Sequence, residues 1–321
     1  PFEAKPSSSY VKLTPRHYSY LKISEGCNHK CSFCIIPSLR GPLKSRSMAS
    51  ILSEAKSLVE RGTKELLIIS QDTSAYGLDL KFEETLVNGK KRKTNIYNLV
   101  NELASLGIWV RLHYIYPYPH VKQLIPLMDQ NRVLPYLDVP FQHAHPDVLK
   151  RMARPSNNVH DLEQISEWRS INPDLSIRST FIVGFPGETE SEFNFLLDWL
   201  EEAKIDRVGC FKYEDVSGAR SNAMEGHLHG DIIQDRYDRF MSRAQQLSEL
   251  KLKEKIGKTF TCIIDSVEQD RLICRSIFDA PEIDGIVSVP SKQRHYRVGE
   301  HVTVKIKGSS EYDLKGEILF S

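Results

Sequence analysis

The sequence predicts an α/β protein in which a partial, open (β/α)6 barrel is followed by a small five-stranded β-barrel. From about residue 17 to 215, six buried apolar runs alternate with amphipathic helical runs, the pattern of a parallel sheet covered by helices. From 258 onward the pattern changes to five short alternating runs separated by turns, which indicates a small β-barrel. The expected organisation is a linker (1–16), the (β/α)6 core with a long C-terminal helix (17–256), and the β-barrel domain (257–321).

The individual elements follow from periodicity and from turn residues. The predicted core strands are 18–23, 66–69, 109–116, 136–141, 177–185 and 208–213. The predicted helices lie around 51–59, 96–106, 121–128, 146–153, 160–171, 190–200 and 232–256. The predicted strands of the small barrel are 259–264, 272–274, 286–289, 302–306 and 315–320. Six strand–helix repeats are fewer than the eight of a closed barrel, so the sheet is expected to stay open.

The composition limits the classes of function. The 43 Lys and Arg residues nearly balance the 42 Asp and Glu residues, which argues against a broad nucleic-acid-binding face. No apolar run approaches the roughly 20 residues of a membrane span, and no signal peptide is visible. Few cysteines in a long chain predict reduced thiols and a cytoplasmic location. Because the chain begins with Pro1 instead of Met, we expect it to be a fragment of a longer protein.

Cys27, Cys31 and Cys34 carry the strongest chemical signal, in a C-x3-C-x2-C spacing. Three thiolates this close can hold three corners of a [4Fe–4S] cluster and leave the fourth iron open to a small molecule. A zinc ribbon would need a second C-x2-C pair, which is missing. A disulfide framework belongs to small, Cys-dense extracellular domains. The other cysteines, Cys210, Cys262 and Cys274, show no ligand spacing and are expected to be buried small residues.

The cysteine spacing, with the aromatic Phe33 before the third cysteine, resembles the radical S-adenosylmethionine (SAM) superfamily. That resemblance implies that SAM chelates the open iron, and that one electron from the cluster breaks a sulfonium bond. A 5′-deoxyadenosyl radical then takes a hydrogen atom from the substrate. The chemistry belongs to the cofactors, while the protein binds and orients them.

The same resemblance indicates which polar residues contact SAM. Gln71 and Asp72 follow the second strand and fit acceptors for the SAM amino group; a turn with a helix cap is the alternative. Gln142 and His143 close the fourth strand and are candidates to line the pocket, although a structural histidine is an equal alternative. Arg154 is a candidate partner of the SAM carboxylate, or else a solvated arginine at a helix end.

The segment 178–188 resembles the strand that faces adenine in this superfamily. Gly184 would let the backbone approach the base. Thr180 would bond the ribose or the carboxylate, and Val183 would pack on adenine.

Within the superfamily, the chain from Tyr18 to its end resembles the methylthiotransferases, and among them the RimO family. The runs that carry this resemblance are 22–27, 69–77, 181–188 and 279–285. It implies that the C-terminal barrel is a TRAM domain and that the β-carbon of an aspartate in a small-subunit ribosomal protein, the one numbered twelve, is methylthiolated. It also implies an N-terminal domain with a second [4Fe–4S] cluster that delivers sulfur, and an electron donor such as flavodoxin or ferredoxin. Without that domain, this chain is expected to cleave SAM but to transfer sulfur poorly.

Two alternatives remain at this stage. One is the sister family that methylthiolates an adenosine in tRNA; its barrel should be basic, whereas residues 257–321 hold nine Lys and Arg against ten Asp and Glu. The other is a nonenzymatic SAM- or RNA-binding module with a structural cluster. We further expect five carboxylates of the small barrel to form an acidic patch that faces a basic protein substrate; they are Asp279, Glu282, Asp284, Glu311 and Asp313.

Overall fold

The computed structural model describes residues 15–129, 133–155, 158–291 and 295–319. Almost all of the predicted linker therefore lies outside the described residues, as does Phe320 at the end of the last predicted strand. Among the described residues, no helix has the length and apolar character needed to cross a bilayer.

The strands and helices follow the predicted order with a few additions. The strands are β1 (Tyr18–Lys22), β2 (Ser24–Glu25), β3 (Lys44–Ser45), β4 (Glu65–Ile69), β5 (Glu84–Val87), β6 (Lys90–Lys93), β7 (Trp109–Leu112), β8 (Tyr136–Asp138), β9 (Ser176–Val183), β10 (Arg207–Lys212), β11 (Thr259–Val267), β12 (Arg271–Ser276), β13 (Val287–Pro290), β14 (His301–Ser309) and β15 (Leu314–Ile318). The helices are α1 (Ile36–Arg40), α2 (Met48–Glu60), α3 (Ile96–Ala104), α4 (Ile125–Asp129), α5 (Pro146–Arg151), α6 (Asn158–Ile171), α7 (Glu190–Ala203) and α8 (Gly230–Lys253). Short 3₁₀ helices cover Thr73–Ala75, Pro119–Leu124 and Arg220–Ala223.

The core is a six-stranded sheet in the order β1-β4-β7-β8-β9-β10, with every neighbouring pair parallel. β1 and β10 form its two edges, so the barrel is partial and open, as predicted. Side chains alternate along each strand. Leu21 of β1, Leu66 of β4 and Val110 of β7 are fully buried in the core cluster that packs against the helices. Their neighbours Tyr20, Lys22 and the equivalent residues of the other strands therefore face the inside of the barrel.

The two predicted strands that end earliest relative to expectation both shape the same edge of the sheet. The strand predicted to reach 116 ends at Leu112, because Tyr114 adopts φ 56°, a left-handed conformation that interrupts the ladder. The strand predicted to reach 141 ends at Asp138, ahead of Pro140, which has no N–H to donate, and Gln142, which has φ 72°. The hairpin of β5 and β6 was not predicted, although the Asn-Gly turn at its tip is a known signal.

The C-terminal domain is a closed barrel in the order β11-β12-β13-β15-β14. Its core contains both Cys262 and Cys274, and burial raises the pKa of each thiol. These two cysteines are thus the buried small residues that the sequence predicts.

The small barrel docks on the N-terminal ends of the core strands through buried ion pairs. Arg207, the first residue of β10, donates from Nε to Asp279 at 3.0 Å, and its Nη2 also contacts that carboxylate. Arg275 of the small barrel pairs with Glu65, the first residue of β4, at 2.6 Å. The barrel therefore sits at the end of the (β/α)6 core opposite to the loop that carries the three cysteines.

This docking contradicts the predicted acidic patch. Asp279 is 1% exposed and buried against Arg207, and Asp284 contacts Arg178 at 3.5 Å. Glu282 accepts a hydrogen bond from the Tyr18 hydroxyl at 2.6 Å. These three carboxylates therefore join the two domains and do not form a free acidic patch.

Candidate functional site

A cavity of about 450 Å³ opens at the C-terminal ends of the core strands. Its walls come from the ends of β1 and β4, from the cysteine loop after β2, and from the segments that follow β7 and β8. This is the edge at which parallel α/β sheets bind ligands, and the volume suits a small molecule. The lining residues are Lys22, Cys27, His29, Cys31, Phe33, Cys34, Ile36, Ile69, Ser70, Gln71, Tyr114, Tyr116, Pro140, Gln142 and Arg154.

Cys27, Cys31 and Cys34 all line this cavity and are partly exposed to it. Backbone N–H groups of His29 and Ile36 lie 3.4 Å from the sulfurs of Cys27 and Cys34, respectively. Burial raises the pKa of both thiols, while these N–H donors favour the thiolate and oppose the rise. Such N–H contacts stabilise the charged sulfur that a metal cluster requires.

Gly26 fixes the backbone at the start of the cysteine loop. It has φ 74°, and a Cβ atom at this position would lie 2.2 Å from the Pro42 carbonyl oxygen. The next amide, that of Cys27, donates to the Gly41 carbonyl at 3.1 Å. The two backbone segments are therefore in direct contact, which only a glycine at position 26 allows.

Gln71 and Asp72, predicted as a pair, have different environments. The Gln71 side chain lines the cavity, and its Oε1 is buried without a hydrogen-bond partner. Asp72 is absent from the cavity lining, and both of its oxygens are in use. Its Oδ1 accepts from the Ala75 amide and the Ser74 hydroxyl, which caps the 3₁₀ helix. The capping alternative therefore describes Asp72, and the predicted contact with the SAM amino group is retained for Gln71.

Asp72 also orients an aromatic cluster beside the cysteines. Its Oδ2 lies 2.8 Å from His29 Nε2 and accepts from the Tyr118 hydroxyl at 3.0 Å. The His29 ring stacks on Tyr116 with ring centres 3.9 Å apart. Neither His29 nor Tyr116 was predicted from the sequence, although His29 lies inside the cysteine motif itself.

Arg154 points into the cavity and is held there by three contacts. Its guanidinium carbon lies 4.4 Å from the centre of the Tyr116 ring, and its Nη2 donates to the Pro140 carbonyl at 2.5 Å. Its Nη1 is 4.0 Å from the sulfur of Cys31. The solvated alternative is thus wrong for this arginine, which places a fixed positive charge next to the cysteine loop.

The three residues predicted from the adenine-facing strand are outside the cavity lining. Val183 is fully buried in the core cluster, on the strand face that meets the helices, so its predicted adenine contact is wrong. At Gly184, which has φ 79°, a Cβ atom would lie 2.7 Å from the Ile233 side chain of α8. Position 184 therefore requires a glycine because helix α8 packs closely against the backbone there. Thr180 lies on the opposite, inward face of β9 and is partly exposed, but it does not reach the cavity wall.

A buried polar cluster around Glu188, which the sequence argument missed, supports this side of the barrel. Glu188 accepts from the Gly184 amide at 3.1 Å and from Arg236 Nη1 at 2.7 Å. Its Oε2 lies 3.4 Å from His143 Nε2. His143 is fully buried and is a structural residue, whereas its neighbour Gln142 does line the cavity.

The cavity fits the cofactors that the cysteine spacing implies. Three cysteine sulfurs share one wall, and an unpartnered acceptor, Gln71 Oε1, and a cation, Arg154, complete a set that suits the amino and carboxylate groups of an amino acid. The apolar part of the wall comes from Phe33, Ile36 and other aromatic or aliphatic side chains. A [4Fe–4S] cluster and SAM are therefore compatible with the residues present.

Comparisons with known proteins identify both domains. Residues 21–200 match the family model of the Radical SAM superfamily, and residues 256–319 match that of the TRAM domain. The ribosomal protein uS12 methylthiotransferase RimO of Roseobacter denitrificans is 55% identical over 99% of this chain and 68% of the relative. The RimO of Cupriavidus necator is 54% identical over 99% of this chain and 73% of the relative.

A solved structure supports the fold independently of sequence. Coproporphyrinogen III oxidase (HemN) from Escherichia coli, described as a radical SAM enzyme, superposes with a TM-score of 0.53 at 14% identity. The match covers 81% of this chain and 65% of that protein.

Proposed function

Because this chain belongs to the RimO family of radical SAM methylthiotransferases, we propose that it acts in the methylthiolation of ribosomal protein uS12, at the β-carbon of one aspartate. The observation that carries this proposal is the cavity with three cysteines on one wall and with acceptor and cation groups on the others. When bound, a [4Fe–4S] cluster and SAM would supply reductive cleavage of a sulfonium bond and abstraction of a hydrogen atom.

The residues of this chain take separate parts in that reaction. Cys27, Cys31 and Cys34 would hold three irons of the cluster. Gln71 Oε1 would accept from the amino group of SAM, and Arg154 would bind the carboxylate by a charge-assisted hydrogen bond. The aromatic wall keeps water away from the reacting carbon.

Asp72 and Glu188 are positioning residues. Asp72 holds His29 and the 3₁₀ helix next to Gln71, and Glu188 anchors the segment after β9 to α8. The reduced thiols and the labile cluster suit a cytoplasmic setting.

Sulfur transfer requires more than these 321 residues in our proposal. The chain spans about two thirds of the RimO sequences that it matches. We expect the second cluster, the sulfur source, to belong to a segment outside this chain. An electron donor such as flavodoxin or ferredoxin would reduce the cluster.

The charge of the small barrel no longer distinguishes a protein substrate from tRNA. Among the residues that the structure describes, four carboxylates of the small barrel contact the core domain, and Arg275 is its one basic side chain paired with a carboxylate there. The balance of nine cations and ten carboxylates therefore does not describe the outer surface. Support for uS12 comes instead from the RimO relatives, and tRNA stays the second candidate substrate.

Mass spectrometry of both candidate substrates tests this proposal. Full-length enzyme with reconstituted clusters, SAM and dithionite should add one methylthio group to uS12 and none to tRNA. The 321-residue chain under the same conditions should form 5′-deoxyadenosine and leave uS12 unmodified. Modification of tRNA by the full-length enzyme would overturn the substrate assignment, and robust modification of uS12 by the 321-residue chain would refute the need for a second cluster.

A further inference from the structure

We propose that Lys22 is the specificity-determining residue that binds the side-chain carboxylate of the substrate aspartate. This inference rests on the proposed function, because it assumes that the reacting residue is acidic. It assigns to one side chain the choice between an aspartate and an uncharged substrate.

Lys22 is placed to meet a substrate in the cavity. It is the last residue of β1 and lies on the inward face of the strand, next to the start of the cysteine loop. Its side chain lines the cavity and is 38% exposed, so a molecule bound in the cavity can contact it.

Two basic side chains line the cavity, and the reaction brings two carboxylates to it. Among the lining residues that the structure describes, the Lys and Arg side chains are those of Lys22 and Arg154, and none is a carboxylate. The methionine part of SAM must reach the open iron beside the cysteines. Arg154, 4.0 Å from the sulfur of Cys31, is the cation on that side. Lys22 is therefore the cation left for the second carboxylate.

The contact between Lys22 and Glu25 prepares the ammonium for this role. Lys22 Nζ pairs with Glu25 Oε2, which holds the flexible side chain against the wall. An ammonium has three N–H donors, so the pair with Glu25 leaves donors for a substrate. Arg40 Nε also lies 3.9 Å from Glu25 Oε1. Glu25 therefore keeps a cationic neighbour when the Lys22 ammonium turns towards a second carboxylate.

The other arginines inside the barrel are already committed to carboxylates of the chain. Arg178 pairs with Asp138 at 3.1 Å, and Arg111 pairs with the fully buried Glu65 at 2.7 Å. Releasing either one would leave a buried charge unpaired, which is strongly unfavourable. Lys22, with one partly exposed partner, has no such restriction.

Peptide affinities of matched variants test the assignment. The target aspartate is first located by mass spectrometry of uS12 treated with the full-length enzyme. A peptide spanning that aspartate and its Asp→Asn counterpart are then titrated by fluorescence anisotropy into reconstituted chain saturated with SAM. We expect the wild type to bind the Asp peptide about tenfold more tightly than the Asn peptide, the size of one charge-assisted hydrogen bond at a partly exposed site.

The substitutions isolate Lys22. Lys22→Met should bind both peptides equally, Lys22→Arg should keep the preference, and Lys22→Glu should reverse it, since a carboxylate repels the Asp peptide. Lys44→Met is the matched control: Lys44 lies opposite Glu25 in the β2–β3 pair but does not line the cavity, so the preference should persist.

Each result decides between the two proposals. An unchanged tenfold preference in Lys22→Met, or equal binding of the two peptides by the wild type, overturns the role of Lys22 and leaves the proposed function intact. A wild type that binds neither peptide contradicts both the proposed function and this inference.

Discussion

Replacing Asp279 by Asn should destabilise the chain strongly, because it breaks the buried ion pair that joins the two domains. Asp279 is 1% exposed, and its carboxylate accepts from Arg207 and, at 2.6 Å, from the Ser276 hydroxyl. Burial alone would raise its pKa, but Arg207, Lys255 and the Ser276 hydroxyl together outweigh burial, and the pKa of Asp279 is lowered. The carboxylate is therefore charged in the folded chain.

The expected loss follows from leaving Arg207 buried without an anionic partner. Arg207 is 7% exposed, so water cannot replace the carboxylate, and removal of one partner of a buried pair costs about 3–5 kcal/mol. For a chain of this length, roughly 2 °C per kcal/mol predicts a fall in Tm of about 6–10 °C.

Urea denaturation of the cluster-free chain, followed by far-UV circular dichroism, measures this loss directly. Glu311→Gln is the matched control, since Glu311 is exposed and belonged to the same predicted acidic patch; its change should stay within about 0.5 kcal/mol. Equal, small effects of the two substitutions would show that Asp279 is not a buried anchor and would refute the domain arrangement described here.

Three further predictions follow from single residues. Gly184→Ala should cost about 1–3 kcal/mol in urea denaturation, because φ is 79° and the new Cβ meets Ile233, whereas Gly230→Ala, with open space around its Cβ, should be nearly neutral. Burial lowers the pKa of His143, although Glu188 opposes this shift. Below about pH 6.5 the unfolded state therefore binds more protons than the folded state, and the free energy of unfolding should fall as the pH decreases. His143→Gln should make the free energy of unfolding less dependent on pH in this range, and an unaltered dependence would count against a buried neutral ring. Cys31→Ala should abolish the incorporation of about four irons per chain on anaerobic reconstitution, while Cys210→Ala should not, and full iron content in Cys31→Ala would disprove the cluster assignment.

The sequence predicts the order of elements well because apolar periodicity is a local signal. All six core strands and all five strands of the small barrel form where the pattern indicates. The strands that end early do so where a single backbone conformation overrides propensity. Tyr114 and Gln142 adopt left-handed conformations at the cavity, and an apolar pattern cannot reveal such a choice in advance.

Only those residues of the candidate site that belong to short sequence motifs were predicted. The cysteines and Gln71 come from short segments whose chemistry is local. Lys22 faces the cavity because of strand alternation, and Tyr116 because the segment after β7 folds over the end of the sheet. A sequence does not show which of two alternating faces meets the helices, and for that reason Val183 was assigned to the wrong side.

The acidic residues of the small barrel show a related limit. The sequence gives the number of these carboxylates, but a count of charges does not show which carboxylates are exposed and which are paired with a cation. Asp279 and Asp284 find their partners more than 70 residues away in the chain, in β9 and β10. Only the docked structure reveals that pairing.

The most direct test of the central claim is the formation of 5′-deoxyadenosine by the reconstituted 321-residue chain with SAM and dithionite. Chromatography should detect the nucleoside for the wild type and for Cys210→Ala, and should detect none for Cys27→Ala, Cys31→Ala or Cys34→Ala. If the wild type binds its irons yet forms no 5′-deoxyadenosine, the cluster is structural, and the assignment of this cavity as a site of radical SAM chemistry is contradicted.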